Sequence, residues 1–277
     1  MNKIKQLFVP IIFSVFTVAY IGCDLEKEIE IDLPEVENQM VIECYLEPGK
    51  PYRVLLTESQ PFLDPVEDPN TLPTISDAIV VISRNGVADT LTEGEFLDFV
   101  NFKVYNYGSS TLVSNDLLSE YRIEVTDQEG RFAFAETRIL PIVPIDSIEV
   151  DFNETDTAAN ILTWFTDPPE TNYYRRVLNL NTLTSEPEQA FSANDAVFNG
   201  DDVVFGTGFD YTFGDTLITT LFHIDEDYYF FLETVSAAEA ANNNPFAQPS
   251  FILDNIEGGI GIFTGLSYDR DTVIITE

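Results

Sequence analysis

Tyr121-Arg122-Ile123-Glu124-Val125-Thr126-Asp127 decides the fold class. Apolar Tyr121, Ile123 and Val125 alternate with polar Arg122, Glu124 and Thr126, the period of two expected of a strand with one dry and one wet face. Working outward, runs of the same kind recur. Upstream, Met40 to Leu46 and Tyr52 to Thr57 are joined by Glu47-Pro48-Gly49-Lys50, a turn signal. Ala78 to Ser83 and Val87 to Leu91 flank Asn85-Gly86, a hairpin signal. Phe99 to Tyr107 and, downstream, Phe132 to Ile139 complete the series. About seven short strands with turns between them predict an immunoglobulin-like sandwich over residues 39–140.

Beyond it, Leu140-Pro141-Ile142-Val143-Pro144-Ile145 predicts a stiff linker over 141–146. A second strand series follows at Ser147–Phe152, Asn160–Phe165, Tyr173–Asn179 and Leu217–Ile224, predicting a fibronectin type III-like sandwich over 147–277 with Trp164, the only tryptophan, in its core. Residues 184–215, rich in Gly, Asn and Asp, read as an inserted hairpin or lid. Residues 225–242 predict one helix, capped by Asp225, with Tyr228, Phe231, Leu232, Val235 and Ala238 at helical spacing and packed on the second sheet. Gly258-Gly259-Ile260-Gly261-Ile262-Phe263-Thr264-Gly265 predicts a strand whose backbone another element approaches closely. The chain is thus expected to be mainly β, two β-sandwich domains with one amphipathic helix in the second.

The first 22 residues read differently. Lys3 and Lys5 precede an apolar run from Leu7 to Ile21, shorter than the about 20 apolar residues of a transmembrane helix and suited to a signal peptide. Tyr20-Ile21-Gly22-Cys23 resembles the lipobox of bacterial lipoproteins, which implies acylation of Cys23, palmitate among the chains, and an outer-membrane anchor. Residues 23–38 form an acidic tether, and Asp24-Leu25-Glu26-Lys27-Glu28 resembles the signal that sends lipoproteins of Bacteroidota to the cell surface.

Charge excludes several partners. The 277 residues carry 13 Lys and Arg against 48 Asp and Glu, a net charge of −35, which repels nucleic acid and anionic head groups. With 44% apolar and 13% aromatic residues the chain still has enough apolar surface to bury a core. One histidine, His223, excludes a multi-histidine metal site, and no Gly-x-Ser-x-Gly marks a hydrolase nucleophile. With Cys23 acylated, Cys44 has no partner and reads as a buried thiol. No cofactor is expected, calcium excepted. Its candidate ligands are Asp201, Asp202, Asp210 and Asp215, or Asp64, Glu67 and Asp68, as hard cations bind oxygen clusters.

Two segments are candidates for binding. Residues 59–76 hold four prolines and the apolar Phe62, Leu63 and Val66 beside Asp64, a long loop suited to contact with a partner. Phe205, Phe209 and Tyr211 are aromatic candidates for holding a ligand.

Several segments together carry a resemblance. Leu56-Thr57-Glu58-Ser59-Gln60-Pro61-Phe62, Ser76-Asp77-Ala78-Ile79-Val80, Tyr121-Arg122-Ile123-Glu124-Val125, and Pro245-Phe246 with Asn255-Ile256-Glu257-Gly258-Gly259-Ile260-Gly261-Ile262-Phe263 resemble the domain of unknown function 4249 family. The resemblance implies an outer-membrane lipoprotein of Bacteroidota, often encoded beside a TonB-dependent receptor, with no assigned catalytic residue. The expected function is a non-catalytic accessory or ligand-binding subunit of a TonB-dependent nutrient uptake system. The alternatives are a surface-anchored hydrolase acting on glycans or peptides, and a calcium-rigidified structural or adhesive module.

Overall fold

The computed structural model describes residues 37–60, 72–98, 103–155, 157–196, 198, 200–242 and 251–276. The signal peptide, Cys23 and most of the tether lie outside the described residues. So do Phe62, Leu63, Asp64, Val66, Glu67 and Asp68 of the proline-rich loop, and Pro245-Phe246.

Eight strands build the first half: β1 (Met40–Leu46), β2 (Pro51–Glu58), β3 (Ile79–Arg84), β4 (Val87–Thr90), β5 (Thr92–Asp98), β6 (Lys103–Leu112), β7 (Glu120–Thr126) and β8 (Phe132–Arg138). Their order of pairing gives two sheets, β4-β3-β7-β8 and a sheet containing β1-β2-β6-β5. The alternation in Tyr121–Thr126 does what its period demands: Tyr121, Ile123 and Val125 are buried, and their neighbours face outward. Met40, Ile42, Cys44 and Leu46 of β1, Val54 and Leu56 of β2, and Val80 and Ile82 of β3 meet them in one core between the two sheets. Burying an aliphatic or aromatic side chain of this size contributes about 1.5–3 kcal/mol, so this layer is the main stabilising feature of the first sandwich.

The second half adds β9 (Ser147–Phe152), β10 (Ala159–Thr166), β11 (Tyr173–Leu180), β12 (Gln189–Asn194), β13 (Asp202–Gly206), β14 (Thr216–Ile224), helix α1 (Glu226–Asn242), β15 (Ile260–Gly265) and β16 (Ser267–Ile274). They form a three-stranded sheet, β13-β10-β9, and a four-stranded sheet, β12-β11-β14-β16. Phe165, Val203 and Phe205 from one sheet pack against Tyr174 and Leu221 from the other, while Ala159 and Ile161 pack against Leu178 and Leu217. The fold is mainly β, several sheets stacked as sandwiches, with one helix among the described residues.

The chain does not keep its halves apart. β15 returns to the first sheet and pairs parallel with β1, from Val41 opposite Ile260 to Leu46 opposite Gly265. The glycines make this pairing possible: Gly261 has φ of +123°, and a Cβ there would stand 2.0 Å from the Ile42 carbonyl oxygen. β16, one residue further on, pairs antiparallel with β14 in the second sandwich. Consecutive strands at the end of the chain therefore belong to different sandwiches.

Several expectations need correction. Trp164 is only half-buried, and its neighbour Phe165 fills the core, 4.9 Å from Tyr174 and 5.1 Å from Phe205 between ring centroids. Residues 184–215 form neither a hairpin nor a lid: β12 pairs with β11 and β13 with β10, so the segment edges both facing sheets. Of the strand expected over Phe99 to Tyr107, residues 99–102 lie outside the described residues, and from Lys103 it runs on past Tyr107 to Leu112. β5 and β16 have no counterpart in the sequence reading.

Candidate partner-docking surface

The site begins at Asp225. Its Oδ1 accepts the Tyr228 backbone N–H at 2.7 Å, the bond of a helix cap, and Glu226 and Asp227 in the first turn suit the positive end of the dipole. Its Oδ2 accepts the hydroxyls of Thr264 on β15 at 2.9 Å and Thr137 on β8 at 3.1 Å. Burial raises the carboxyl above the usual carboxylate range, and these three donors hold it back. The start of α1 is thus bolted to the first sandwich.

The same turn also grips the second sandwich. Tyr228 and Tyr229 are buried with Ile224 and Ile262, against Tyr45, Tyr173, Phe222, Phe231, Leu232 and Leu266. Tyr173 on β11 donates its hydroxyl to Glu226 at 2.8 Å, and Tyr45 on β1 stands edge-on to Tyr228 at 5.9 Å. The helix therefore wedges over β1 and β15 as well as β11 and β14, where the spacing of its apolar residues suggested the second sheet alone. Further along, Val235 and Ala238 are only half-buried.

An extended segment lies against this helix. The Leu253 N–H donates to Thr234 Oγ1 at 3.0 Å, one turn beyond Phe230, which is 40% exposed. Phe251, Ile252 and Leu253 are 89%, 47% and 52% exposed. The segment is pinned at its far end, where Ile256 enters the first core and Asn255 brackets Phe263, donating to its carbonyl at 2.8 Å and accepting its N–H at 3.0 Å. Three consecutive large apolar side chains are thus displayed on a fixed backbone. The patch sits among acids, with Glu233 and Asp254 exposed beside it. An apolar strip with an acidic margin fits a protein partner with an apolar pocket and a basic rim.

The residues singled out in the sequence are scattered. Phe205 and Tyr211 are buried in two different clusters of the second core, and Phe209 is exposed. Asp215 accepts the Thr212 N–H at 2.8 Å within its own turn. Asp202 accepts the Thr166 hydroxyl at 3.3 Å, with Asp146 on the other side of that hydroxyl at 2.8 Å. Asp201 and Asp210 do not join them, and among the described residues no three acids, histidines or cysteines converge as a metal site. Trp164 lines a shallow cleft of about 310 Å³ with Asp146, Ser147, Glu149 and Asp202. A groove of about 580 Å³ runs along Tyr52, Arg84, Asp89 and Val113.

His223 is packed. Its Nδ1 lies 2.7 Å from the Pro141 carbonyl and its Nε2 3.0 Å from Asn172 Oδ1, and it stacks on Tyr174. Burial lowers its proton affinity, against the Pro141 carbonyl and Asp167. Cys44 is buried, and burial pushes its thiol well above the ordinary range.

The sequence reading missed the 251–253 strip because an apolar run ordinarily signals burial. Its one usable signal is Pro249, which disfavours continuation of a helix into Phe251-Ile252-Leu253. No curated protein matches the chain. Residues 26–272 match the family described as a domain of unknown function, DUF4249, and the chain belongs to that family.

Proposed function

We propose that this chain is a non-catalytic lipoprotein of Bacteroidota type, anchored in the outer membrane through Cys23, which serves as an accessory or ligand-binding subunit of a TonB-dependent nutrient uptake system. The observation that carries the reading is the Phe251-Ile252-Leu253 strip, exposed and held against α1 at Thr234. Such a strip is costly for a free-standing protein to display in water and useful to one that docks. The lipobox resemblance at Gly22-Cys23 supports membrane attachment, and the net charge of −35 supports a partner with a basic rim.

The test is a pull-down of the tagged, lipidated protein from outer membranes in mild detergent, with and without Phe251→Asp and Leu253→Asp. A TonB-dependent receptor recovered in near-equal amount with the wild type, and lost with the double variant, supports the reading. Recovery of the protein alone overturns it.

A second reading, a surface-anchored glycan hydrolase, draws on the cleft where Trp164 stands with Asp146, Glu149 and Asp202. Turnover of a glycan by the wild type, abolished by Asp202→Asn, would favour it over the first.

A further inference from the structure

The core of the second sandwich is cut in two by a polar layer. On β10, Thr163 lies between Ile161 and Phe165; on β11, Arg176 lies between Tyr174 and Leu178; on β14, Thr219 lies between Leu217 and Leu221. In each strand the residue on one side belongs to the cluster around Phe165 and the residue on the other to the cluster around Ile161. The three polar side chains thus interrupt three strands of two facing sheets between the same two clusters, with Arg176 opposite Leu221 and Thr219 opposite Leu178, one diagonal step away on the neighbouring strand. Arg176 is 1% exposed and both threonines are fully buried.

None of the three has a hydrogen-bond partner among the described residues. Arg176 Nε, Nη1 and Nη2, Thr163 Oγ1 and Thr219 Oγ1 are all buried without a hydrogen-bond partner. Ion pairs among the described residues use Lys103, Arg122 and Arg131 and leave Arg176 aside. The closest aromatic support is Phe191, whose ring centroid is 6.0 Å from Arg176 Cζ. A guanidinium does not give up its proton in a protein, so its charge persists inside the core. Burial lowers its proton affinity, countered by Tyr211. A buried charge left unpaired is among the most destabilising features a core can contain, and two unpartnered hydroxyls in the same polar break compound it.

We propose that this layer is a binding site for a small oxyanion, a carboxylate, sulfate or phosphate group held by the Arg176 fork with the Thr163 and Thr219 hydroxyls around it. The fork offers paired N–H donors to two oxygens of one planar or tetrahedral anion, and the hydroxyls turn to donate to the others. Water would hydrate the guanidinium but leave its charge uncompensated. The occupant belongs between the sheets, away from the docking strip on α1, so the two sites stand or fall separately.

The test titrates the purified full chain with sodium sulfate, phosphate and acetate at constant ionic strength balanced with sodium chloride, followed by calorimetry and thermal melting. The expected result is saturable binding of one anion per chain, with Tm raised by about 5 °C or more at a hundredfold excess over Kd. Arg176→Met, a change to an apolar side chain of similar length, abolishes binding. Should that variant fail to fold, Thr163→Val with Thr219→Val weakens binding at least tenfold and provides the second reading. Absence of saturable binding to all three anions by the wild type overturns the proposal, as does binding by Arg176→Met equal to the wild type.

Discussion

Thr264 donates its hydroxyl to Asp225 at 2.9 Å, so the strand that returns to the first sandwich holds the residue that caps the helix. Neither contact is independent of the other. Loosening β15 frees the cap, and loosening the cap removes a partner from a buried carboxylate.

Asp225→Ala is therefore expected to cost more than a surface cap. Loss of the cap contributes about 1 kcal/mol and the hydroxyls left buried add a comparable amount, for a total of about 2–3 kcal/mol in urea unfolding. The pH dependence has a definite sign. Burial raises the Asp225 carboxyl in the folded state, so its contribution is present below the ordinary carboxylate pKa and is lost as pH rises through the raised value. The wild type minus Asp225→Asn difference in stability should fall with rising pH just above the ordinary carboxylate range. A flat difference would show that the carboxyl is not perturbed.

Asp127 should behave in the opposite sense. Burial alone would raise its carboxyl, but Arg131 outweighs it through a side-chain bond at 2.5 Å and a backbone N–H at 2.8 Å, holding the carboxyl below its ordinary value. Its contribution is present above the ordinary carboxylate pKa and is lost as pH falls through the depressed one. Arg131→Ala should lower stability at neutral pH by about 1.5–3 kcal/mol, and the loss should shrink on acidification. Urea midpoints at neutral and acid pH check both statements.

Gly261→Ala tests the junction of chain end and chain start. The positive φ and the 2.0 Å approach to the Ile42 carbonyl leave no room for a methyl group, so a cost of about 3 kcal/mol or more is expected. Hydrogen exchange should show it first in the amides of β1 and β15. Ala at Gly86, where nothing lies within 4 Å of a Cβ, should leave exchange in that pair unchanged.

Phe165 and Trp164 are adjacent and should differ widely. Phe165→Ala empties the centre of an aromatic cluster and is expected to cost about 3–5 kcal/mol. Trp164→Ala, on the half-buried face, should cost less. As the only tryptophan, Trp164 reports its own exposure, and its fluorescence should be quenched by acrylamide in the folded protein.

The same pair shows what the sequence can and cannot reveal. β7 was legible because its apolar residues alternate strictly, whereas β10 carries Ile161, Leu162, Trp164 and Phe165, apolar on both faces, so the pattern does not say which face is the core. β5 escaped because Thr92-Glu93-Gly94-Glu95 is exposed at a sheet edge and has no apolar rhythm. β16 escaped for a related reason: Tyr268-Asp269-Arg270-Asp271 is held by its ladder to β14 more than by burial. The glycines of 258–265 did signal a close approach of backbones, and Gly261 against Ile42 is that approach, but nothing local names a partner so far back in the chain. In the same way Arg176 reads as an ordinary wet-face residue until both sheets are in place around it.

The pairing of β1 with β15 sets an order of events during synthesis. Val41 leaves the ribosome long before Ile260, so one edge of the first sheet stays bare until β15 has been made. A nascent chain in that state presents the unsatisfied amides and carbonyls of Met40–Leu46 to any neighbour, and truncation before Ile260 leaves them so permanently. Stop codons and proteolytic cuts ahead of Ile260 should therefore yield aggregates rather than a shortened but soluble protein.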